Sequence, residues 1–235
     1  MIRLERSEAL QRKVRKDDPP DLAISNWDVI SQAIQAGKTG EALEFLDHER
    51  IASQANNDSF TAFVESLLTY IANNFGEEEV YKSLKPRYSA RLAEFLSTTH
   101  GVLEELQRCT ESQRRHHASF SVKEEPDRYV VSYDPCGSGG RLRRTRSVGL
   151  NKKPYPWSWD KVGVPYYCTH CCVNWEMTGI ELRGYPVRIT LVGDKPEDPC
   201  VHLFYKKPEL IPEEYFTRIG MKKDPSKFNP TSAPF

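Results

Sequence analysis

The amino-acid sequence predicts an α+β protein, in which an N-terminal helical layer packs on an antiparallel sheet formed mainly by the C-terminal half. Apolar residues recur at helical spacing from Ile24 to about His117. Beyond His117 the pattern changes to the alternation that is typical of strands, with turns at prolines. Helices followed by strands favour an arrangement in which the helices cover one face of an antiparallel sheet.

These patterns divide the chain into four segments. We expect a charged N-terminal arm at residues 1–23, a helical region at 24–117, a cysteine-rich α+β region with the candidate site at 118–207, and a proline-rich tail at 208–235. The arm is expected to pack weakly, as a frayed segment or a short helix. The tail is expected to be mostly irregular, and to lie along the surface or contact a neighbouring subunit of a homo-oligomer.

Caps and glycines separate the predicted helices of the first half. Ser25 or Asn26 is suited to cap the first helix, which Gly37 ends. A second helix follows, and Asp58 is suited to cap a third one with a broad apolar stripe. The last long amphipathic helix of this region is predicted at residues 90–108.

The second half combines predicted strands with one further helix. Aromatic and β-branched residues predict strands at residues 120–124, 128–133, 186–192 and 200–205. A helix is predicted over residues 168–181. The last two strands are separated by a short proline-containing turn, so they are expected to pair as a hairpin.

The balance of charge and the use of cysteine exclude several classes of protein. Thirty-three basic and thirty-three acidic residues cancel, so the sequence predicts no nucleic-acid partner and no membrane surface. No apolar run reaches the roughly 20 residues that span a bilayer, and the first residues lack an apolar signal segment. We therefore expect a cytoplasmic protein. Six cysteines in this context favour metal binding or thiol chemistry over a disulfide framework.

The segment from Tyr133 to Cys172 is the most informative part of the sequence. It contains four of the six cysteines, and its glycines and prolines interrupt both helical and strand periodicity. The sequence therefore predicts a long loop. Loops of this length in compact domains are usually functional or disordered, and the aromatic content argues against disorder.

Cys168 and Cys171 form a CxxC motif with His170 inside it. Two thiolates at this spacing can bind one metal ion, and the motif predicts a single zinc or iron ion with Cys136 as a third ligand. Further ligand candidates are His117 or its neighbour His116, and also Cys200 and His202. The alternatives are buried apolar cysteines, a catalytic thiol without metal, or a redox pair.

A glycine-rich turn, DPCGSGG, precedes a basic run that includes Arg141 and Arg143. Backbone N–H groups and guanidinium groups together can bind a carboxylate or phosphate, which predicts a small acidic ligand. The turn matches neither a Walker loop nor a dinucleotide-binding fingerprint, so no nucleotide cofactor is expected. The alternative is a flexible hairpin tip with a solvated basic run.

Aromatic and titratable residues near the cysteines complete the predicted site. Trp157, Trp159 and Tyr167 could form the wall of a substrate pocket or fix the loop to the core. Glu176 follows Cys172 by four residues, so on a regular helix it would share a face with that cysteine and could act as general acid or base. Its alternative is a half-exposed helix glutamate. His117 and His170 are the other candidate proton carriers.

Residues 174–206 resemble the end of 4-vinyl reductase-like ligand-binding domains and of L-2-amino-thiazoline-4-carboxylic acid hydrolase-like proteins. The similar positions include two glycines in and after a helix, and a cysteine that opens an apolar strand; they are Gly179, Gly184, Pro186, Pro199, Cys200 and Phe204. The Gly-Asp-Pro turn of those proteins is replaced here by DKPEDP. The resemblance implies helices on an antiparallel sheet and a pocket for a small molecule.

The sequence thus predicts a metal-dependent hydrolase or lyase that acts on a small acidic organic molecule. Cys136, Cys168 and Cys171 would bind the metal, with His117 or His170 completing the site. One alternative is a non-catalytic module that senses a small molecule and carries a structural zinc. The other is a thiol redox protein that uses Cys168 and Cys171.

Overall fold

The computed structural model of this chain describes residues 2–228. The chain divides into two compact units, the first ending at Asn57 and the second beginning at Asp58. Among the described residues, no helix is both long enough and apolar enough to cross a membrane.

The first unit opens with a β-hairpin where a weakly packed arm was predicted. Strand β1 (Ile2–Ser7) pairs antiparallel with β2 (Arg12–Asp17). Ile2 and Leu4 lie on the same face of β1 and pack against the buried apolar residues of helix α1 (Asn26–Gln35). The prediction of a frayed arm was therefore wrong, because alternate apolar side chains within a charged stretch suffice to attach a strand.

Helix α2 (Thr39–Phe75) is continuous where two helices were predicted. Between Gly40 and Phe75 the sequence contains no glycine or proline, so nothing interrupts the backbone hydrogen bonds. Asp58 lies within this helix and does not cap it. Its carboxylate pairs with Arg141 instead.

Helix α3 (Glu77–Ser97) and helix α4 (Val102–Arg115) follow in the second unit. Gly76 and Gly101 precede them, with φ angles of 103° and 82° that favour glycine. The single helix predicted at residues 90–108 is therefore divided between α3 and α4, because the chain turns at Gly101.

The second unit contains a four-stranded antiparallel sheet, which confirms the predicted fold class. Its order is β3 (Phe120–Glu124), β4 (Arg128–Tyr133), β6 (Cys200–Tyr205) and β5 (Ile189–Leu191). Buried residues of α3 and α4 pack on β4 and β6 in one apolar core. That core comprises Leu92, Leu96, Leu106, Cys109, Val131, Tyr133, Trp175, Val187 and Phe204. The helices thus form a layer on the sheet, as expected.

The segment between β4 and β6 is more regular than a loop. It includes helix α5 (Gly139–Thr145), a 3-10 helix (Tyr166–Thr169), a π-helix (Cys172–Met177) and helix α6 (Thr178–Arg183). The helical prediction after Cys168 is confirmed, whereas the prediction of an unbroken loop from Tyr133 to Cys172 was wrong at α5.

The described part of the predicted tail packs into the second unit. Helix α7 (Glu214–Thr217) buries Phe216 completely, and Ile219 is only 1% exposed. Pro230 and Pro234 lie outside the described residues. Up to residue 228 the tail is therefore partly core, because its apolar side chains cover β5 and β6.

We expect Phe216→Ala to lower the free energy of unfolding by about 3–5 kcal/mol, because it removes a fully buried ring. Phe75→Ala is the matched control, since Phe75 is 67% exposed and its removal should cost less than about 1 kcal/mol. Urea denaturation of both variants measures the difference. Equal stability of the two would contradict a packed tail.

Candidate functional site

Four cysteines line one small cavity of the second unit. A cavity of about 40 Å³, which we call the cysteine pocket, is lined by Cys136, Cys168, Cys171 and Cys200. All four thiols are free and half-buried. The pocket thus brings together the three predicted cysteine ligands and the candidate Cys200.

The sheet register explains how distant cysteines meet. Tyr133 at the end of β4 pairs with Cys200 at the start of β6, so Cys136 begins its turn beside Cys200. Cys168 and Cys171 follow on the short helical segment that packs against α5. Three separate stretches of sequence therefore converge at one end of the sheet.

The glycine-rich turn contacts the thiols closely. A side chain at Gly139 would place its Cβ 2.5 Å from Sγ of Cys168, and one at Gly140 would lie 3.0 Å from Sγ of Cys136. The Gly140 N–H donates a hydrogen bond of 2.9 Å to the Cys136 sulfur. These glycines therefore let the backbone approach the sulfur atoms. They were predicted to bind an anionic ligand, but their close contacts are with the thiols.

The two predicted substrate-binding arginines hold the turn in place. Arg141 forms a bidentate ion pair with Asp58 and also donates to the carbonyls of His116, His117 and Gly137. This guanidinium is fully engaged, so it does not bind a substrate carboxylate in this arrangement. The physical reason is that it satisfies carbonyl groups that the turn leaves without backbone partners.

Arg143 lies at the pocket but is also engaged with the backbone. Its guanidinium donates to the carbonyls of Gly193, Lys195 and Asp198. Arg143 thereby ties α5 to the turn that precedes β6, while its side chain lines the pocket. It contributes positive charge at the pocket, but its guanidinium is bonded to the backbone and does not offer a bidentate site to a substrate.

Cys171 is the most polarised thiol of the pocket. Its Sγ atom lies 3.5 Å from Nε2 of His170 and accepts a 3.4 Å hydrogen bond from Arg188. His170 donates from Nδ1 to the Tyr167 carbonyl, which leaves Nε2 facing the sulfur. Burial opposes ionisation, but His170 and Arg188 outweigh it and lower the pKa of Cys171 to about 7.

The other pocket thiols are electrostatically coupled to one another. Burial, and then the charge of the neighbouring Cys136, raises the pKa of both Cys168 and Cys200 well above the ordinary thiol value. Coupling of this kind requires the sulfurs to be close. A metal ion or another cation in the pocket would instead lower the pKa values of these thiols.

Arg188 is a buried cation that sequence reasoning missed. It is 3% exposed and its guanidinium lies 4.7 Å above the ring of Trp175. Within the described residues no carboxylate pairs with it, and it donates a hydrogen bond to the Cys171 sulfur. A single arginine in the apolar strand segment PVRITLV was the available signal, because such a residue needs a buried negative partner.

Two buried polar side-chain atoms at the pocket have no hydrogen-bond partner among residues 2–228. These are Oγ1 of Thr190, which is fully buried, and Nδ1 of His202, which is 2% exposed. The two residues face each other across β5 and β6, and both line the pocket. Buried polar atoms are nearly always hydrogen-bonded, so these atoms indicate a polar group in the pocket.

Glu176 does not line the cysteine pocket, although it was predicted to act there as general acid or base. It is fully buried and accepts hydrogen bonds from Trp159, from the Thr190 N–H and from Arg218, so both carboxylate oxygens are engaged. Burial raises its pKa, against the opposing charge of Arg218. Glu176 is a structural anchor, because the π-helix changes the face that a residue four positions after Cys172 occupies.

The predicted aromatic wall serves mainly to attach the loop. Trp157 is buried and stacks on Tyr155, and Trp159 donates to Glu176; neither lines the described cysteine pocket. Tyr167 lies edge-on to His170, with ring centroids 4.8 Å apart, so its ring packs against the imidazole. Tyr167 therefore contacts a residue of the pocket lining.

The two predicted histidines occupy different places. His170 lines the cysteine pocket. His117 has a left-handed backbone with φ of 53°, and its carbonyl accepts from Arg141. His117 is not among the described residues that line the pocket, so it is not placed there as the fourth ligand.

Over residues 2–228, no group of three or more His, Cys, Asp or Glu side chains is arranged to hold a metal ion. The cysteines thus share a pocket without converging on a single ligand point. The predicted single ion bound by Cys136, Cys168, Cys171 and His117 stays a prediction.

Comparison with known proteins adds no relative. No protein-family model, no curated protein and no solved structure matches this chain. The resemblance of residues 174–206 to ligand-binding domains stays a prediction, and function must be argued from the site itself.

We expect Gly139→Ala to lower the free energy of unfolding by about 1–3 kcal/mol, because the added methyl group would overlap the Cys168 sulfur. Gly40→Ala is the control, since nothing lies within 4 Å of its Cβ position and its φ is not left-handed. Urea denaturation measures both. If Gly139→Ala were as stable as the control, the close packing of turn and thiol would be wrong.

Proposed function

We propose that this chain is a metal-dependent enzyme, a hydrolase or lyase for a small acidic organic molecule, with a zinc or iron centre in the cysteine pocket. The observation that carries the proposal is that Cys136, Cys168 and Cys171 line one cavity. Thiolates are the ligands that zinc and iron centres favour in proteins. Cys136 and the pair Cys168 and Cys171 come from two separate stretches of the chain and line the same cavity.

Arg188 supports a centre with negative charge. A buried guanidinium without a partner costs several kcal/mol of stability, of order 3–5 when a partner is removed. Cysteines are deprotonated when they bind a metal, so metal-bound thiolates would supply the charge that Arg188 faces. The hydrogen bond from Arg188 to Cys171 supports this, because a thiolate there would lie next to the guanidinium.

His170 is our candidate for proton transfer at the pocket. His170 lines the cavity beside Cys171 and is oriented by its hydrogen bond to the Tyr167 carbonyl. In the proposed reaction it moves a proton to or from the substrate. The metal centre would polarise a substrate heteroatom or activate a bound water molecule.

The charge around the pocket supports an acidic substrate. Arg143 and Arg144 line it, and Arg188 lies behind Cys171. The described lining contains one carboxylate, that of Asp198. Arg144 is paired with the carboxylate of Asp134, so the positive charge comes mainly from Arg143 and Arg188. This charge would attract a carboxylate-bearing molecule at a distance, because the guanidinium of Arg143 is already bonded to backbone carbonyls.

A thiol redox protein is the second candidate, and one observation favours it. Cys168 and Cys171 lie at the same pocket as free thiols, and His170 contacts the second of them. A histidine next to a thiol promotes its attack on a disulfide. This candidate requires a pocket without metal, which separates it from the first.

We expect purified native protein to contain zinc or iron, and Cys136→Ser to lose most of it, because the variant removes one thiolate ligand. Cys172→Ser is the matched control: its buried thiol donates to the Pro156 carbonyl, which a serine hydroxyl can also do. Elemental analysis of each protein gives the metal content per chain. A metal-free native protein that forms a reversible disulfide would favour the redox candidate instead.

We expect Cys200→Ser to retain the metal, because a catalytic centre keeps one position open for water or substrate. Cys200 would adjoin this position. Its Sγ atom lies 3.7 Å from Nε2 of His202. Metal content and thermal stability of the variant are the measurements. Loss of metal as complete as in Cys136→Ser would indicate a closed, structural centre.

A further inference from the structure

We propose that the group in the cysteine pocket is an iron–sulfur cluster of several irons, with Cys136, Cys168 and Cys171 as its ligands and Cys200 beside the remaining iron. This inference rests on the proposed metal centre and names its chemical class. It follows from the four cysteines that line one cavity, from the hydrogen-bond donors to their sulfurs and from two buried polar atoms that lack partners.

The arrangement of the thiols favours a cluster over a single ion. A tetrahedral zinc ion binds each sulfur at about 2.3 Å, so its ligands must converge on one point. Among the described residues no three side chains do so, although four thiols line the same cavity. In an iron–sulfur cluster the irons are bridged by sulfide and different thiolates bind different irons, so the thiols surround the group at a greater separation.

Hydrogen-bond donors already point at the thiols. The Gly140 N–H donates to Sγ of Cys136, and Arg188 donates to Sγ of Cys171. Donors of this kind are typical of iron–sulfur sites, because they stabilise the negative charge that sulfide and thiolate share.

Thr190 and His202 provide an observation that is independent of the cysteines. Both are at least 98% buried, both line the pocket, and Thr190 Oγ1 and His202 Nδ1 have no partner in the described part of the chain. A buried hydroxyl needs a partner, and no described residue provides one for Thr190 Oγ1. A cluster in the pocket would supply sulfide acceptors for this hydroxyl, and for His202 Nδ1 in the tautomer that carries its proton there.

The test is the composition of the intact protein, purified without oxygen or reconstituted with ferrous iron and sulfide. We expect two or more irons per chain, an approximately equal amount of acid-labile sulfide, and a broad visible absorption that dithionite bleaches by reducing ferric iron. Cys136→Ser should lose iron and sulfide together, by roughly tenfold or more. Cys172→Ser should keep both.

The possible results separate this inference from the proposed function. One zinc or one iron per chain without sulfide would overturn the cluster and leave the metal centre standing. No metal after anaerobic purification and reconstitution would overturn both. If Cys136→Ser fails to fold, the ratio of iron to sulfide in the native protein decides alone.

Discussion

The buried charge of Arg188 is the constraint on which the rest of the site depends. A guanidinium that is 3% exposed, with thiols and an indole ring around it, is stable only where negative charge is also buried. Among the described residues, Arg188 donates to the Cys171 sulfur and pairs with no carboxylate. The need to pair this cation connects the sheet, which carries Arg188 just before β5, to the cysteines of the pocket.

Strand pairing, a glycine-rich turn and contacts with two distant carboxylates bring the sulfurs together. Antiparallel register places the end of β4 beside the start of β6, and Gly139 allows the following turn to reach Cys168. Arg141 then fixes the turn by its pair with Asp58, 83 residues earlier in the chain. Buried Glu65 fixes the other part of the segment, because it accepts from the N–H groups of Gly149 and Tyr167.

Much of the fold could be predicted because it depends on local periodicity. Helical spacing up to His117 and alternation beyond it were enough to place the helices on an antiparallel sheet, and four cysteine candidates proved to share one pocket. Positions that depend on long-range pairing could not be predicted. The role of Arg141 depends on Asp58, and Glu176 turned toward Trp159 because a π-helix shifts the face assumed for a regular helix.

X-ray absorption at the metal edge of the native protein tests the central claim most directly. The account predicts an iron edge, a nearest shell made of sulfur, and a second shell of iron, because thiolates and sulfide together balance the buried cation. A nearest shell of oxygen and nitrogen, or the absence of any metal edge, would contradict it. In that case the charge of Arg188 would have to be balanced by a free thiolate at Cys171.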